Sequence, residues 1–140
     1  MGYGVPAAIA AKVVAPDRTV VCFAGDGDFL MSAPELAAAV QERTPIVVLV
    51  VDNGMYGTIR MHQERQFPGR VVGTDLVNPD FVALAESCCA YAERVERSSD
   101  FADAFERALA SERPALLHLP VDPEAITPNA TLSELRSGGA

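Results

Sequence analysis

The chain has 140 residues, a hydrophobic fraction of 49% and a formal net charge of −8, which results from 19 acidic and 11 basic side chains. This length predicts one domain with a core built mostly of alanine, valine and leucine. The acidic balance argues against sequence-independent binding to nucleic acid or to an anionic membrane surface, because both require clustered cations.

Neither a membrane span nor a secretory signal is apparent. No apolar stretch approaches the roughly 20 residues needed to cross a bilayer, and the start lacks a charged region followed by an apolar core and a cleavage site. The cysteines, Cys22, Cys88 and Cys89, fit neither a zinc site nor a disulfide framework. This usage is typical of a reducing compartment, so we expect a cytoplasmic protein.

Helix signals and apolar runs alternate along the first half of the chain. Pro6 falls in the first turn of an alanine-rich helix, where its missing N–H is harmless. Ser32 and Glu35 form a capping-box pattern at the start of a second helix. The second apolar run shows no alternation, which is typical of a strand buried on both faces. The predicted elements are a helix over 5–14, a strand over 19–24, a helix over 33–42, a strand over 46–51 and a helix within 55–66.

The second half of the chain continues the alternation after an irregular stretch. Asn78, followed by a proline, is predicted to cap one helix, and Ser98 or Ser99 to cap another. The predicted elements are a helix that opens after 78 and runs through about 88, a strand over 90–95, a helix over 100–111 and a strand over 114–121.

Four predicted strands that alternate with helices indicate an α/β fold, in which helices flank a parallel sheet and right-handed crossovers join the strands. We expect residues 1–125 to form this domain. Residues 126–140 are predicted to form a tail that is partly disordered at its end.

Polar residues follow two neighbouring strands of the predicted sheet. Gly25, Asp26 and Gly27 come directly after the first strand, and Asn53 follows the second, 27 positions beyond Asp26. Residues just past the carboxyl ends of parallel strands line the ligand crevice of an open α/β sheet. A carboxylate and an amide beside a glycine turn suit Mg²⁺ bound together with a phosphate.

This arrangement resembles the cofactor-binding motif of thiamine diphosphate (ThDP) enzymes, which runs from Gly-Asp-Gly to a distal Asn. Residues 1–12, 15–18 and 53–59 are also similar to segments of the acetolactate synthase and 2-oxo-acid decarboxylase group. The resemblance implies the C-terminal, diphosphate-binding domain of that family, incomplete at its N-terminus.

The resemblance also implies the ligands of the metal. Asp26 would bind Mg²⁺ through its carboxylate, Asn53 through its side-chain oxygen and Met55 through its main-chain carbonyl. The family usually has two asparagines where this chain has Asp52 and Asn53, and the resemblance assigns the ligand role to the second position.

Further residues would contact the cofactor itself. Glycines allow the backbone to approach a diphosphate closely, because a Cβ would crowd that approach. Asp28 stands where relatives often have serine, and the sequence leaves open whether its side chain points away from the diphosphate or towards it. The implied contacts are Met1 under the aminopyrimidine, Gly25, Gly27 and Asp28 at the diphosphate, and Tyr56 and Gly57 bordering the thiazolium.

The resemblance implies an enzyme that decarboxylates a 2-oxo acid and transfers or releases the resulting aldehyde unit. In this family the activating glutamate comes from a separate pyrimidine-binding domain, usually of a partner subunit. None of Glu35, Glu42 or Glu64 matches that position. We therefore expect the isolated chain to be inactive without such a domain or subunit, and we expect a homo-oligomer.

Two alternatives stay open at this point. The chain could be a cofactor-binding fragment or remnant without activity of its own. A Rossmann-like nucleotide binder is disfavoured, because the glycine motif lacks a third glycine at Leu30. Of the two histidines, His62 is expected on an exposed helix position and His118 is expected to be structural.

Overall fold

Four parallel strands form one sheet. The computed structural model describes residues 1–138. The strands are β1 (Val21–Gly25), β2 (Val47–Asp52), β3 (Tyr91–Arg94) and β4 (Ala115–Pro120). Their order across the sheet is β1-β2-β4-β3, so β1 and β3 are the edge strands. The predicted parallel α/β sheet is thereby confirmed, and each strand lies within two residues of its predicted bounds.

Seven helices lie in the described part of the chain, and two of them were not predicted. The short helices α2 and α7 fall where the sequence suggested a glycine loop and an irregular tail. The helices are α1 (Gly4–Val14), α2 (Asp26–Leu30), α3 (Glu35–Gln41), α4 (Gly57–Gln66), α5 (Phe81–Ser87), α6 (Phe101–Ala110) and α7 (Leu132–Arg136).

Packing divides the described chain into two compact units. The sheet unit comprises Met1–Asp52 and Pro79–Pro120, and therefore holds all four strands. The loop unit comprises Asn53–Asn78 and the chain from Val121 on. The end of the predicted tail includes residues 139 and 140, which lie outside the described residues.

The core of the sheet unit covers both faces of the two central strands. The first four residues of β2 and of β4 are buried, which explains why the β2 sequence shows no polar alternation. One face packs against α1, α3 and α5, and the other against α6. Residues of the first face include Val48, Val50, Leu116 and Cys22, and residues of the second include Val47, Leu49 and Leu117.

The predicted capping box at Ser32 is wrong. Helix α3 begins at Glu35, and Pro34 precedes it without a side-chain cap. The main-chain carbonyl of Ser32 accepts the Glu35 N–H at 3.0 Å, because the chain continues from α2 through tight turns. The Ser32 hydroxyl is buried and has no hydrogen-bond partner among residues 1–138.

Two other predicted helix caps also differ from those in the structure. Asp80, rather than Asn78, caps α5, and its carboxylate accepts the Ala83 N–H at 3.0 Å. A 3₁₀ turn over Ser98–Asp100 leads into α6, so neither predicted serine caps that helix. In both cases the preceding turn decides where the first free N–H groups point.

The loop unit is held by α4, α7 and an isolated antiparallel bridge between Met55 and Asp75. Helix α7 starts with a complete capping box, in which Thr131 accepts the Glu134 N–H and Glu134 accepts the Thr131 N–H. This Thr-x-x-Glu spacing was the available sequence signal for the helix. Leu132 and Leu135 form its buried side.

A buried carboxylate lies at the centre of the loop unit. Glu64 has no exposed surface, and it accepts hydrogen bonds from Arg136 Nη2 at 2.7 Å and from the Gly69 N–H at 2.9 Å. The bond from Arg136, followed by the bond from Gly69, lowers the pKa of Glu64 below its ordinary value despite burial. Arg60, also buried, donates to Thr74 Oγ1 at 2.7 Å.

The helices of the described residues are all too short or too polar to cross a membrane.

Candidate functional site

The chain leaves β1 and β2 at the same edge of the sheet unit. Gly25, the last residue of β1, is paired in register with Val51, and Asp52 ends β2 one residue later. The sequence-based expectation that these two strands are parallel neighbours is confirmed. Because carboxyl ends of parallel strands define the usual ligand crevice, this edge is the candidate site.

Asp26 occupies the first position of helix α2, directly after β1. Its side chain is 3% exposed, and Oδ1 accepts the N–H of Gly27 at 2.8 Å. Gly25 is the N-cap residue of this helix and has no side chain that could cap the first-turn N–H groups. A Cβ built on Gly25 meets nothing within 4 Å, so there is open space beside the backbone here. The open space at this helix start leaves room for a ligand.

The Asp28 side chain contacts the N-terminal segment. Its Oδ1 accepts the Gly2 N–H at 2.5 Å and lies 4.0 Å from the Met1 ammonium. The carboxylate thus holds the start of the chain.

The N-terminal segment packs on β1 through Gly4. A Cβ on Gly4 would lie 2.9 Å from Cys22 Sγ and 3.8 Å from Asp28 Oδ2, so a larger residue would push the segment away. Burial, followed by the charge of Asp28, raises the pKa of the Cys22 thiol, which keeps it a packing residue. Met1 itself is exposed.

Asn53 and Met55 form a tight turn in the loop unit. Asn53 Oδ1 accepts the Met55 N–H at 3.2 Å, which is an Asx-type turn, and Gly54 between them has φ +68°. The oxygen has a second lone pair that can bind a cation. Two hydrogen bonds flank Met55 in its bridge, from Tyr56 N–H to Thr74 and from residue 76 to the Gly54 carbonyl. The main-chain carbonyl of Met55 therefore points away from the bridged segment.

Gly57, the first residue of α4, packs against the Asn53 side chain. A Cβ at this position would lie 2.7 Å from Asn53 Nδ2 and 3.0 Å from Ile126 Cδ1. Tyr56 precedes it as the partly buried N-cap residue of α4. The structure thus brings Asn53, Met55, Tyr56 and Gly57 together in one turn.

Sequence reasoning missed one contact within the sheet unit. His118 on β4 is 4% exposed, as expected for a structural residue, but its Nε2 lies 2.8 Å from Asp52 Oδ2. The rings of Phe81 and His118 also pack in a T-shaped arrangement, with centroids 5.1 Å apart. The available signal was a histidine two residues before the end of a buried strand. His62 is exposed on α4, as predicted.

Each unit presents oxygen donors of a type that Mg²⁺ takes. The sheet unit has the carboxylate of Asp26, and the loop unit has the amide oxygen of Asn53 and the main-chain carbonyl of Met55. Residues 1–138 contain no group of three or more His, Cys, Asp and Glu side chains that could hold a metal by themselves.

Comparison with known proteins identifies the family of the chain. A family model described as the C-terminal TPP binding domain of thiamine pyrophosphate enzymes matches residues 1–119. The chain is 35% identical over 141 residues to the large subunit of acetolactate synthase isozyme 2 of Escherichia coli K12, with 96% of this chain and 26% of the relative covered. It is also 35% identical over 122 residues to the mitochondrial acetolactate synthase catalytic subunit of Saccharomyces cerevisiae, with 87% and 18% covered.

A solved structure shows the same fold. The thiamine diphosphate-dependent 4-hydroxybenzoylformate decarboxylase of Rhodococcus jostii RHA1 superposes with a TM-score of 0.82 at 34% identity, over 87% of this chain and 23% of that one. The chain belongs to the thiamine pyrophosphate enzyme family and corresponds to its C-terminal, ThDP-binding domain. It spans about a quarter of the length of the relatives it matches.

Proposed function

We propose that the chain binds thiamine diphosphate through Mg²⁺, as the diphosphate-holding part of an acetolactate-synthase-like enzyme. The observation that carries the proposal is the family match over residues 1–119, which includes both the Gly-Asp-Gly turn and Asn53. The parallel register of β1 and β2 supports it, because both polar turns then start from one sheet edge.

Each group has a defined task in this proposal. Asp26 and Asn53 would bind the metal through side-chain oxygens, and Met55 through its outward main-chain carbonyl. Gly25 and Gly27 would let the backbone N–H groups reach the diphosphate, while Tyr56, Gly57 and Met1 would contact the rings. When bound, the cofactor supplies the electron sink for decarboxylation of a 2-oxo acid.

The activity of a complete active site is part of the same proposal. A pyrimidine-binding domain or partner subunit would supply the activating glutamate, and a homo-oligomer would bring the two together. The relatives are about four times longer than this chain, which supports this requirement for further domains. The shortness of the chain relative to these proteins equally favours the second candidate, a cofactor-binding chain without activity of its own.

Titration calorimetry with the 140-residue protein tests the binding proposal. We expect ThDP to bind in the presence of Mg²⁺ and to lose at least about tenfold in affinity when EDTA removes the metal, because the proposed diphosphate contacts include no basic side chain. Thiamine without its diphosphate is the matched control and should bind weakly in both conditions. Equal affinity with and without Mg²⁺ would contradict the proposed metal bridge.

Product formation from pyruvate separates the two candidates. The protein is incubated with ThDP and Mg²⁺, first alone and then with a pyrimidine-binding domain from a relative. Turnover that needs the added domain supports the enzyme candidate, and binding without turnover in either case supports the inactive one.

Gly57→Ala is expected to weaken ThDP affinity about tenfold while leaving the folded state intact. The new Cβ would lie 2.7 Å from Asn53 Nδ2, the flexible end of a side chain, so the amide moves and the helix stays. Calorimetry with Mg²⁺ measures the affinity, and urea unfolding measures the stability. Gln66→Ala is the matched control, because Gln66 is exposed at the end of the same helix. Unchanged affinity in folded Gly57→Ala would remove Asn53 from the proposed ligands.

A further inference from the structure

Within the loop unit, the chain after the last strand returns to the turn that carries Asn53. Half-buried Ile126 places Cδ1 3.0 Å from the point where a Cβ on Gly57 would stand, and Asn53 Nδ2 lies 2.7 Å from the same point. The two side chains therefore occupy the space beside this glycine together. We propose that Ile126 is a positioning residue that restrains the Asn53 side chain. This inference rests on the proposed function, in which Asn53 binds the metal through its side-chain oxygen.

The two ends of the Asn53 amide have different neighbours. Its Oδ1 accepts the Met55 N–H at 3.2 Å, whereas its Nδ2 lies beside Gly57 and Ile126. Ile126 fills space into which the amide could otherwise move, and packed neighbours restrict a side chain to few rotamers. Ile126 thus helps to keep the amide oxygen next to the Met55 N–H.

Hydrogen bonds within the returning segment, residues 121–138, hold Ile126 in place. The Ile126 N–H donates to the main-chain carbonyl of Glu124 at 2.8 Å, and the Leu132 N–H donates to the same carbonyl at 3.1 Å. The Glu124 carboxylate also accepts the Ser133 N–H at 2.9 Å. The position of Ile126 is therefore coupled to the start of α7.

Helix α7 is anchored on α4, the helix that begins at Gly57. Leu132 and Leu135 form the buried side of α7, and Arg136 Nη2 donates to the buried carboxylate of Glu64 at 2.7 Å. Glu64 lies about two helical turns beyond Gly57, so the returning segment contacts α4 at two separate places. Because this frame does not depend on the Ile126 side chain, shortening that side chain should leave free space beside Asn53.

Ile126→Val tests the inference with the smallest possible change, because it removes only Cδ1, the atom beside Gly57. A released Asn53 must be ordered again when the metal binds, and ordering one side chain costs about three- to tenfold in affinity. Titration calorimetry should therefore show that Ile126→Val binds ThDP with Mg²⁺ about threefold more weakly than the wild type, and Ile126→Ala about tenfold more weakly.

Two variants serve as controls for this measurement. Ile126→Leu retains a δ-carbon and nearly the same volume, so it should bind like the wild type. Val121→Ala shortens an exposed apolar side chain of the same segment and should also bind like the wild type. Unchanged affinity in both Ile126→Val and Ile126→Ala would overturn the inference, and Ile126→Val alone decides if Ile126→Ala does not fold by circular dichroism.

The Asn53→Ala background separates a role through Asn53 from a merely structural role. Without the amide there is nothing for Ile126 to restrain, so Asn53→Ala/Ile126→Val should bind ThDP with Mg²⁺ like Asn53→Ala alone. A structural role predicts instead that the two losses multiply. An equal loss from Ile126→Val in both backgrounds would refute the inference.

Hydrogen exchange of the cofactor-free protein, followed by nuclear magnetic resonance, gives a readout that needs no ThDP. In Ile126→Val the Met55 N–H, which Asn53 accepts, should exchange about threefold faster, while the Gly69 N–H, which Glu64 accepts, should keep its wild-type rate. Equal acceleration of both amides, or no change at Met55, would contradict the proposed restraint. Failure of the wild type to bind ThDP with Mg²⁺ would refute the proposed function, and the exchange comparison would still test this inference.

Discussion

Replacing Asp26 by alanine is expected to lower the affinity for ThDP in the presence of Mg²⁺ at least about 100-fold, because even outer-sphere partners of a metal cost 10- to 100-fold. Asp26 is the only anionic side chain among the proposed ligands, and it is 3% exposed at the start of α2. Without it the metal keeps only neutral oxygen ligands from the protein. Titration calorimetry with and without EDTA measures the loss.

Two variants distinguish a ligand role of Asp26 from a general effect of its charge and from a loss of the folded state. Asp26→Asn keeps an oxygen at the same place and should lose less affinity than the alanine variant. Asp17→Ala removes the same charge from an exposed turn of the sheet unit and should bind ThDP like the wild type. A folded Asp26→Ala protein that binds Mg²⁺–ThDP normally would refute the proposed metal site.

Glu64→Gln is expected to destabilise the loop unit by about 2 kcal/mol at pH 7, since hydrogen bonds to charged groups contribute roughly 1.5–3 kcal/mol. The fully buried carboxylate accepts from Arg136 and from the Gly69 N–H, and a glutamine amide cannot accept both bonds with the same strength. Amide hydrogen exchange in α4 measures the effect where it arises, and urea unfolding measures the whole chain.

The same substitution carries a pH signature. Because the folded-state pKa of Glu64 is lowered, its contribution is fully present above the ordinary pKa of a glutamate and is lost as the pH falls through the folded value. The gap between wild type and Glu64→Gln should therefore be constant from neutral pH down to about pH 5 and shrink below pH 4. Glu106→Gln, an exposed position on α6, should show no such gap. A gap that widens in acid would contradict the assigned ion pair.

The fold was predictable because its signals are local. The unbroken apolar run that forms β2 predicted a strand buried on both faces, and the helices between the strands predicted a parallel sheet. The motif residues at the ends of the first two strands also predicted that the cofactor site lies at this edge of the sheet. The family model that matches residues 1–119 confirmed the family.

The caps were less predictable because several polar residues compete for one helix end. Ser32 has the right spacing to Glu35, but the unpredicted helix α2 carries the chain into α3 through tight turns. Asn78 and Asp80 both precede α5, and only the conformation of the turn decides that Asp80 accepts the Ala83 N–H. Such choices depend on backbone direction, which composition does not encode.

The sequence by itself determined the family, the order of the strands along the chain and the two polar turns, because these depend on residue type and spacing along the chain. Only the tertiary structure decided that Asp28 holds Gly2, that Asp52 is held by His118 and that Glu64 is paired with Arg136. These pairs join residues 26, 66 and 72 positions apart. At such sequence separations many donors are available to a carboxylate. The register of the strands and the burial of the side chains determine which donor it contacts.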